Sequence, residues 1–396
     1  MGLGKRGAMN LEGRLDIRLT RHADAPATVS IHSTRPQLAQ RLLAGRTPEE
    51  AAHLAGLVFS LCGKAQRVAV QAACEAAQGR LPDPATSRDR ETAVLLELAQ
   101  EHAWRLLLDW PEQSGAELGI SPDMPSLLRL RQSAESLRFS AYESGVPLAG
   151  AAADPPRFAE TLDALLRTPL LGEPAATWLA RDLAGFDAWR RAAGTPTARL
   201  FGELGEGADR GISQARLLPP LGRLTDREAA DLARRALADP AFCAQPLWHD
   251  APAETGAVAR VCEHPLLTAW IAQRGRGAGA RLLARLLELA ALPARLAACL
   301  PDAGPALVRA WHLGENAGLA GVETSRGLLL HGVQLREGKV AQYRIVAPTE
   351  WNFHPAGPLF QALSGLEPGG DLAAHARLVA QSLDPCVAFA IEVNNA

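Results

Sequence analysis

The sequence predicts a mainly helical α+β protein. Three observations carry that prediction. Strict alternation of apolar and polar residues is confined to short runs near the N-terminus, with two further β-rich runs near the C-terminus. Between them, apolar residues return every three to four positions. Helix-start chemistry also stands in front of such a run, as at Thr47-Pro48-Glu49-Glu50.

Taken in chain order, residues 11–19 (Leu-Glu-Gly-Arg-Leu-Asp-Ile-Arg-Leu) and 28–32 (Thr-Val-Ser-Ile-His) alternate with period two. They read as a strand pair turned at 24–26. Thr47 then supplies an N-cap, Pro48 a first helical residue and Glu50 the third position of a capping box, an arrangement that contributes about 1 kcal/mol. Leu54, Leu57, Val58 and Leu61 share one face of the helix so opened, which is expected to run beyond Cys62. A second helix is expected over 90–109, with Val94, Leu95, Leu98, Trp104 and Leu107 inward. Residues 144–156 and 194–222 are rich in Gly, Pro and small residues without sustained period, and read as loops. Further helices are expected around 155–170, 174–193, 225–238 and 276–300. Within the last of these, Arg285, Glu288 and Arg295 interrupt the apolar run and make it an amphipathic core helix. The β-rich runs 327–334 and 339–346 flank Arg336-Glu337-Gly338, a hairpin turn. A final helix is expected over 371–382.

Composition narrows the function. The chain has 396 residues, with 41 Lys+Arg against 43 Asp+Glu and a net charge of −2. That balance excludes a polyelectrolyte grip on nucleic acid. With 47% hydrophobic residues the chain is not disordered, and with 5% aromatics it offers no stacking platform for single strands. No run approaches the roughly 20 apolar residues of a spanning helix, so no membrane insertion is expected. Six cysteines without a CxxC pair do not make a disulfide framework. No leader pattern opens the chain, and a cytoplasmic location is the expectation. There is no phosphate-binding Gly loop, no HExxH and no Gly-x-Ser-x-Gly elbow. His264 and His331 read as structural, and Cys74, Cys243, Cys262 and Cys299 as core residues.

The informative segments lie toward the ends. Leu61-Cys62-Gly63-Lys64-Ala65 and Asp384-Pro385-Cys386-Val387-Ala388-Phe389 resemble the two cysteine boxes of the nickel–iron hydrogenase large subunit. In that family each box is a CxxC, and the four thiolates hold a soft metal pair. Other segments follow the family in order. Leu11-Glu12-Gly13-Arg14-Leu15 is similar to its Glu-Gly-His strand, and Glu254-Thr255-Gly256-Ala257-Val258-Ala259-Arg260 to its Glu-x-Gly-x-x-Ala-Arg segment. Glu323-Thr324-Ser325-Arg326-Gly327 is similar to its Glu-Ala-Pro-Arg-Gly, and Val346-Ala347-Pro348-Thr349-Glu350-Trp351-Asn352 to its Val-Pro-Thr-Thr-Trp-Asn. The resemblance implies a large-subunit-like fold with small sheets near the N- and C-terminal segments. It also implies one unit over 9–396, with an N-terminal box over 9–80, a helical middle over 85–315 and a C-terminal box over 316–396. Residues 1–8 are expected to be a disordered stub.

The departures are as informative as the matches. Ala65 and Phe389 stand where the family has its two bridging cysteines, while Cys62 and Cys386 match those that hold nickel alone. Glu392 replaces a magnesium-ligating His, and Gln40 falls on a second magnesium ligand, a Glu in the family. Only four residues follow Glu392, so no extension for a maturation protease is expected. Two thiolates cannot rebuild a four-thiolate centre, so no hydrogenase catalysis, no catalytic residue and no nickel are expected. Arg326 and Thr349 match the family's donors to iron-bound cyanide, with Pro348 beside Thr349 and Glu12 at the family's proton-transfer Glu. A guanidinium and a hydroxyl suit an anionic cyanide nitrogen.

This pattern resembles the HupK/HoxV-type hydrogenase accessory proteins. The resemblance implies a scaffold that holds or passes on iron carrying cyanide and carbonyl ligands between Cys62 and Cys386. Its implied partners are other maturation proteins and the hydrogenase large-subunit precursor. At an ordinary thiol pKa, ionising each sulfur at pH 7 costs only about 2 kcal/mol. The alternative is a metal-free, large-subunit-like structural or quinone-site-like subunit of a redox complex.

Overall fold

The computed structural model describes residues 13–22, 27–59, 62–111, 121–135, 155–204, 209–298, 305–366 and 371–395. Strands β1 (Arg14–Arg21) and β2 (Thr28–Ser33) pair antiparallel with Ile17 opposite Ile31. Their alternation buries Leu15, Ile17 and Leu19 on one face. The turn expected at 24–26 lies outside the described residues.

Helix α1 (Pro48–Val58) opens with the expected capping box, closed by reciprocal bonds between Thr47 and Glu50. It does not run past Cys62. It stops at Val58, and Leu57 is 64% exposed while Ala51, Ala52 and Ala55 are buried. The reason is a close crossing with α2 (Gly63–Ala77), where a Cβ on Gly63 would lie 2.7 Å from the Gly56 carbonyl. Small residues let the backbones approach, and the bulky face is turned out. Leu61 lies outside the described residues.

Helix α3 (Pro84–Trp104) is capped by Asp83 and continues as a wider turn through Asp109. Val94, Leu95, Leu98 and Leu107 are buried as expected, but Trp104 is 40% exposed on a groove. In the middle, Pro155–Leu165 and Asp226–Ala238 match expectation. One expected helix over 174–193 is two, Ala175–Leu179 and Leu183–Ala192, because Asp182 caps a new start at Leu183 by accepting from the Gly185 N–H. The loop expected over 194–222 contains a helix, Pro196–Glu203, started by Thr195 as N-cap and Pro196. The other expected loop, 144–156, lies mostly outside the described residues.

Helix α4 (Ala278–Ala297) is not amphipathic in the expected sense, because its charges point inward. Arg281 and Arg285 are buried, and Glu288 is held by Arg260 and His102. Buried counter-charges from other segments, Glu254 and Asp384 among them, make this tolerable.

Four antiparallel strands follow in sheet order: β3 (Val308–His312), β4 (Ala317–Thr324), β5 (Gly327–Arg336) and β6 (Lys339–Val346). Glu337 and Gly338, both at positive φ, make the expected hairpin turn. Sequence patterning missed β3 and β4; β4 is buried on both faces and so does not alternate. Helix α2 lies directly on this sheet, since a Cβ on Gly318 would sit 2.2 Å from the Ala73 carbonyl.

The described chain closes with α5 (Pro348–Asn352), a short helix over Pro358–Ser364, α6 (Leu372–Ser382) and β7 (Ala388–Asn395). Strand β7 pairs in parallel with β1, setting Phe389 beside Leu15 and Ile391 beside Ile17. The two ends of the described chain therefore meet in one sheet, which places the second cysteine box beside β1.

Candidate functional site

Cys62 is the N-cap of α2, half-buried at the break between α1 and α2. Its sulfur accepts a hydrogen bond from Gln66 Nε2 at 3.4 Å. A helix N-terminus ordinarily favours a thiolate. Here Glu97 of α3 takes that role, accepting from the backbone N–H of Lys64 at 2.8 Å and Ala65 at 3.2 Å. Burial, then the negative charges of Glu97 and Cys386, push the Cys62 thiol up to about 12. Ionising it at pH 7 costs on the order of 7 kcal/mol, well above the 2 kcal/mol expected for an ordinary thiol. Burial also raises Glu97 itself to about 7.

Cys386 lies between α6 and β7. Thr349, in the first turn of α5, sits with its hydroxyl 3.1 Å from the Cys386 sulfur and also accepts from the Cys386 N–H at 3.4 Å. Pro348 opens that helix and so fixes where Thr349 points. A cleft of about 340 Å³ is lined by Arg105, Asp384, Cys386 and Phe389 among others.

Arg326 occupies the tight β4–β5 turn. Gly327 there has φ +128°, and a Cβ on it would lie 2.5 Å from Thr255. Asn352 clamps the crossing, bonding the backbone of Thr255 and the carbonyl of Arg326. Asn352 thereby ties two segments together, and Trp351 beside it is buried in the core. The Arg326 guanidinium donates to Glu101 at 2.8 Å and lies 3.4 Å from Asp384. Arg326 is thus in a buried ion pair with these two carboxylates, while Glu323 bonds Arg260.

Asp384 adopts a left-handed conformation (φ 55°) that turns its carboxylate inward, against Arg105 at 2.7 Å, Arg326 and Arg285. These three cations hold it below the usual carboxylate range despite burial. The contacts are close but poorly aligned. Among the described residues, Arg326 Nη1 is buried with no hydrogen-bond partner.

Cys62, Cys386 and Arg326 form one electrostatic unit. Each thiolate stabilises the Arg326 charge, and the two sulfurs repel one another when ionised. No group of three or more His, Cys, Asp or Glu among the described residues is placed to hold a metal ion. The site therefore offers two thiols, an unpartnered guanidinium N–H and a hydroxyl. That donor set fits a soft iron whose other positions are filled by diatomic ligands with acceptor ends.

Of the residues expected from sequence, the structure brings together Cys62, Cys386, Arg326, Thr349 and Pro348. Glu12 lies outside the described residues. Ala65 is fully buried under Glu97, and Phe389 lines the Cys386 cleft from β7. Gln40 ties the chain before α1 to β6 through Tyr343 and Arg344, and Glu392 pairs with Arg18 at the surface. His331 is buried against Tyr343, and His264 caps a helix. Cys74 and Cys243 are buried, Cys262 is only half-buried, and Cys299 lies outside the described residues.

Sequence reading missed Glu97, Glu101 and Arg105. Their spacing of four, along α3 and into the turn that continues it, was a signal, an ionisable stripe on one helix face. It missed Arg35 and Glu350 too, which bond one another at 2.8 and 2.9 Å.

Comparison with known proteins agrees with the fold. Residues 304–392 match the family model described as nickel-dependent hydrogenase. The hydrogenase expression/formation protein HoxV of Cupriavidus necator is 32% identical, over 97% of this chain and 96% of its own. HupK of Rhizobium leguminosarum bv. viciae, also a hydrogenase expression/formation protein, is 31% identical over 97% of each chain. Among solved structures, the nickel–iron–selenium hydrogenase of Desulfomicrobium baculatum superimposes with a TM-score of 0.59 at 15% identity. That match covers 93% of this chain and 95% of the other, a likeness of fold.

Proposed function

Because the chain belongs to the HoxV/HupK family of hydrogenase expression/formation proteins, we propose that it is a non-catalytic scaffold in hydrogenase maturation. Its cargo is an iron carrying cyanide and carbonyl ligands, held between Cys62 and Cys386. The supporting observation is the convergence of these two thiols, from distant boxes, with Arg326 and its unpartnered buried N–H. The Arg326 guanidinium and the Thr349 hydroxyl donate to the cyanide nitrogens, and the thiolates supply the soft donors the iron prefers. Its partners are other maturation proteins and the large-subunit precursor that receives the cargo.

The energetics suit temporary holding. Loading must displace the Cys62 proton, at on the order of 7 kcal/mol. Metal–thiolate sites of proteins bind with about 10–16 kcal/mol at pH 7 with four ligands. Two sulfurs working against one costly proton hold less tightly than a four-thiolate enzyme site. Transfer to such a site is then downhill.

The test is infrared spectroscopy on protein purified from a host with the maturation machinery. Cyanide and carbonyl stretches are expected in the wild type and lost in Cys62→Ala and in Cys386→Ala. Bands unchanged in both variants would remove the cysteines from the site. No bands in the wild type would favour a metal-free structural subunit.

A further inference from the structure

The site has a second guanidinium. Arg35 follows β2 and reaches Glu350, the residue after Thr349 in α5. Glu350 stands where the resembling hydrogenase segment has a second Thr. This chain has thus placed a carboxylate next to the Cys386-bonded threonine, and it has a cation on it. Both bonds, at 2.8 and 2.9 Å, leave Arg35 through Nη1 alone. Among the described residues, Nε and Nη2 carry no hydrogen bond and are open to solvent, so three of the five N–H groups remain for another acceptor. The side chain is mostly buried, and its charge is felt by both Cys386 and Cys62.

The charge of the cargo explains why a second cation is useful. A bare ferrous ion on two thiolates is neutral overall. With two cyanides added, the same assembly carries a double negative charge, and carbonyl adds none. Arg326 already shares its charge with Glu101 and Asp384.

We propose that Arg35, positioned by Glu350, is the selectivity residue of the site, favouring an anionic, cyanide-bearing iron unit over a bare divalent cation. This rests on the scaffold reading above and deepens it. Arg35 attracts the cyanide-bearing unit and donates to it through Nε or Nη2. The same charge opposes entry of a free metal dication into the thiol pair.

The experiment compares wild type, Arg35→Met and Arg35→Lys, each purified from the host with the maturation machinery. Iron content, the infrared cyanide and carbonyl bands and Cd²⁺ binding to the unloaded protein are measured on each. Arg35→Met is expected to lose cargo at least fivefold and to shift the cyanide stretches of what remains, with Cd²⁺ affinity equal or higher. Arg35→Lys, which keeps the charge, is expected to retain more than half of the cargo. Unchanged loading and band positions in Arg35→Met would overturn the inference and leave the scaffold reading standing. Cd²⁺ affinity falling in step with cargo would also overturn it, because the site itself would then have collapsed. Absence of bands in the wild type would overturn the scaffold reading and this inference with it.

Discussion

The raised pKa of Cys62 can be tested by alkylation. At pH 8.5 an ordinary thiol is half ionised. With Cys62 pushed up to about 12, its ionised fraction there is about 3 in 10,000, a fall of about 1,500-fold. A more basic thiolate is a better nucleophile. A Brønsted slope of about 0.4–0.5, over a pKa difference of about 3.5, returns roughly 40-fold of the rate. Ionisation wins, and native Cys62 reacts about 40-fold more slowly than the same residue in the unfolded chain. The assay is iodoacetamide labelling across a pH series, with the Cys62 peptide quantified by mass spectrometry in native and urea-unfolded protein. The native rate is expected to keep rising about tenfold per pH unit beyond pH 10, while the unfolded rate levels off above pH 9. A native rate that levels off near pH 9, at the unfolded value, would refute the claim that burial and Glu97 keep this thiol protonated until cargo arrives.

Other consequences follow from the same network. Asp384→Asn leaves Arg105, Arg285 and Arg326 without their shared counter-charge. The expected cost is about 3–5 kcal/mol, which for 396 residues lowers Tm by about 5 °C in calorimetry; an unchanged Tm would show that the carboxylate is not holding them. Cys62 keeps its proton in the folded chain to higher pH than in the unfolded one. Its contribution to stability is therefore intact below about pH 8.5 and lost as pH rises toward about 12, by up to roughly 1.4 kcal/mol per unit in urea unfolding curves. A flat pH dependence in a comparison with Cys62→Ala would contradict this. Added nickel is expected to give no hydrogen-dependent dye reduction, because Ala65 and Phe389 supply no bridging sulfur; steady turnover would contradict the two-thiolate site.

Local chemistry was legible wherever it is decided locally. The Thr47–Glu50 capping box, the turn at Glu337-Gly338 and the alternation of β1 and β2 depend on neighbours in sequence, and each is found. The end of α1 was not legible. Leu57 looks like a core residue by period, but the close approach at Gly56 and Gly63 decides which face is buried. The charges of α4 were read outward, since nothing near Arg285 in sequence reveals Asp384 opposite it. The site shows the same division. Cys62, Cys386, Arg326 and Thr349 stand in recognisable segments, whereas the Arg35–Glu350 pair joins two residues with no local signal in common.

The most direct test of the two-thiolate scaffold is iron K-edge absorption on the cargo-loaded protein. Two sulfur scatterers per iron are expected alongside the diatomic ligands, falling to one in whatever iron Cys62→Ser or Cys386→Ser retains. An iron with no sulfur neighbour, or a sulfur count unchanged in both variants, would contradict the account.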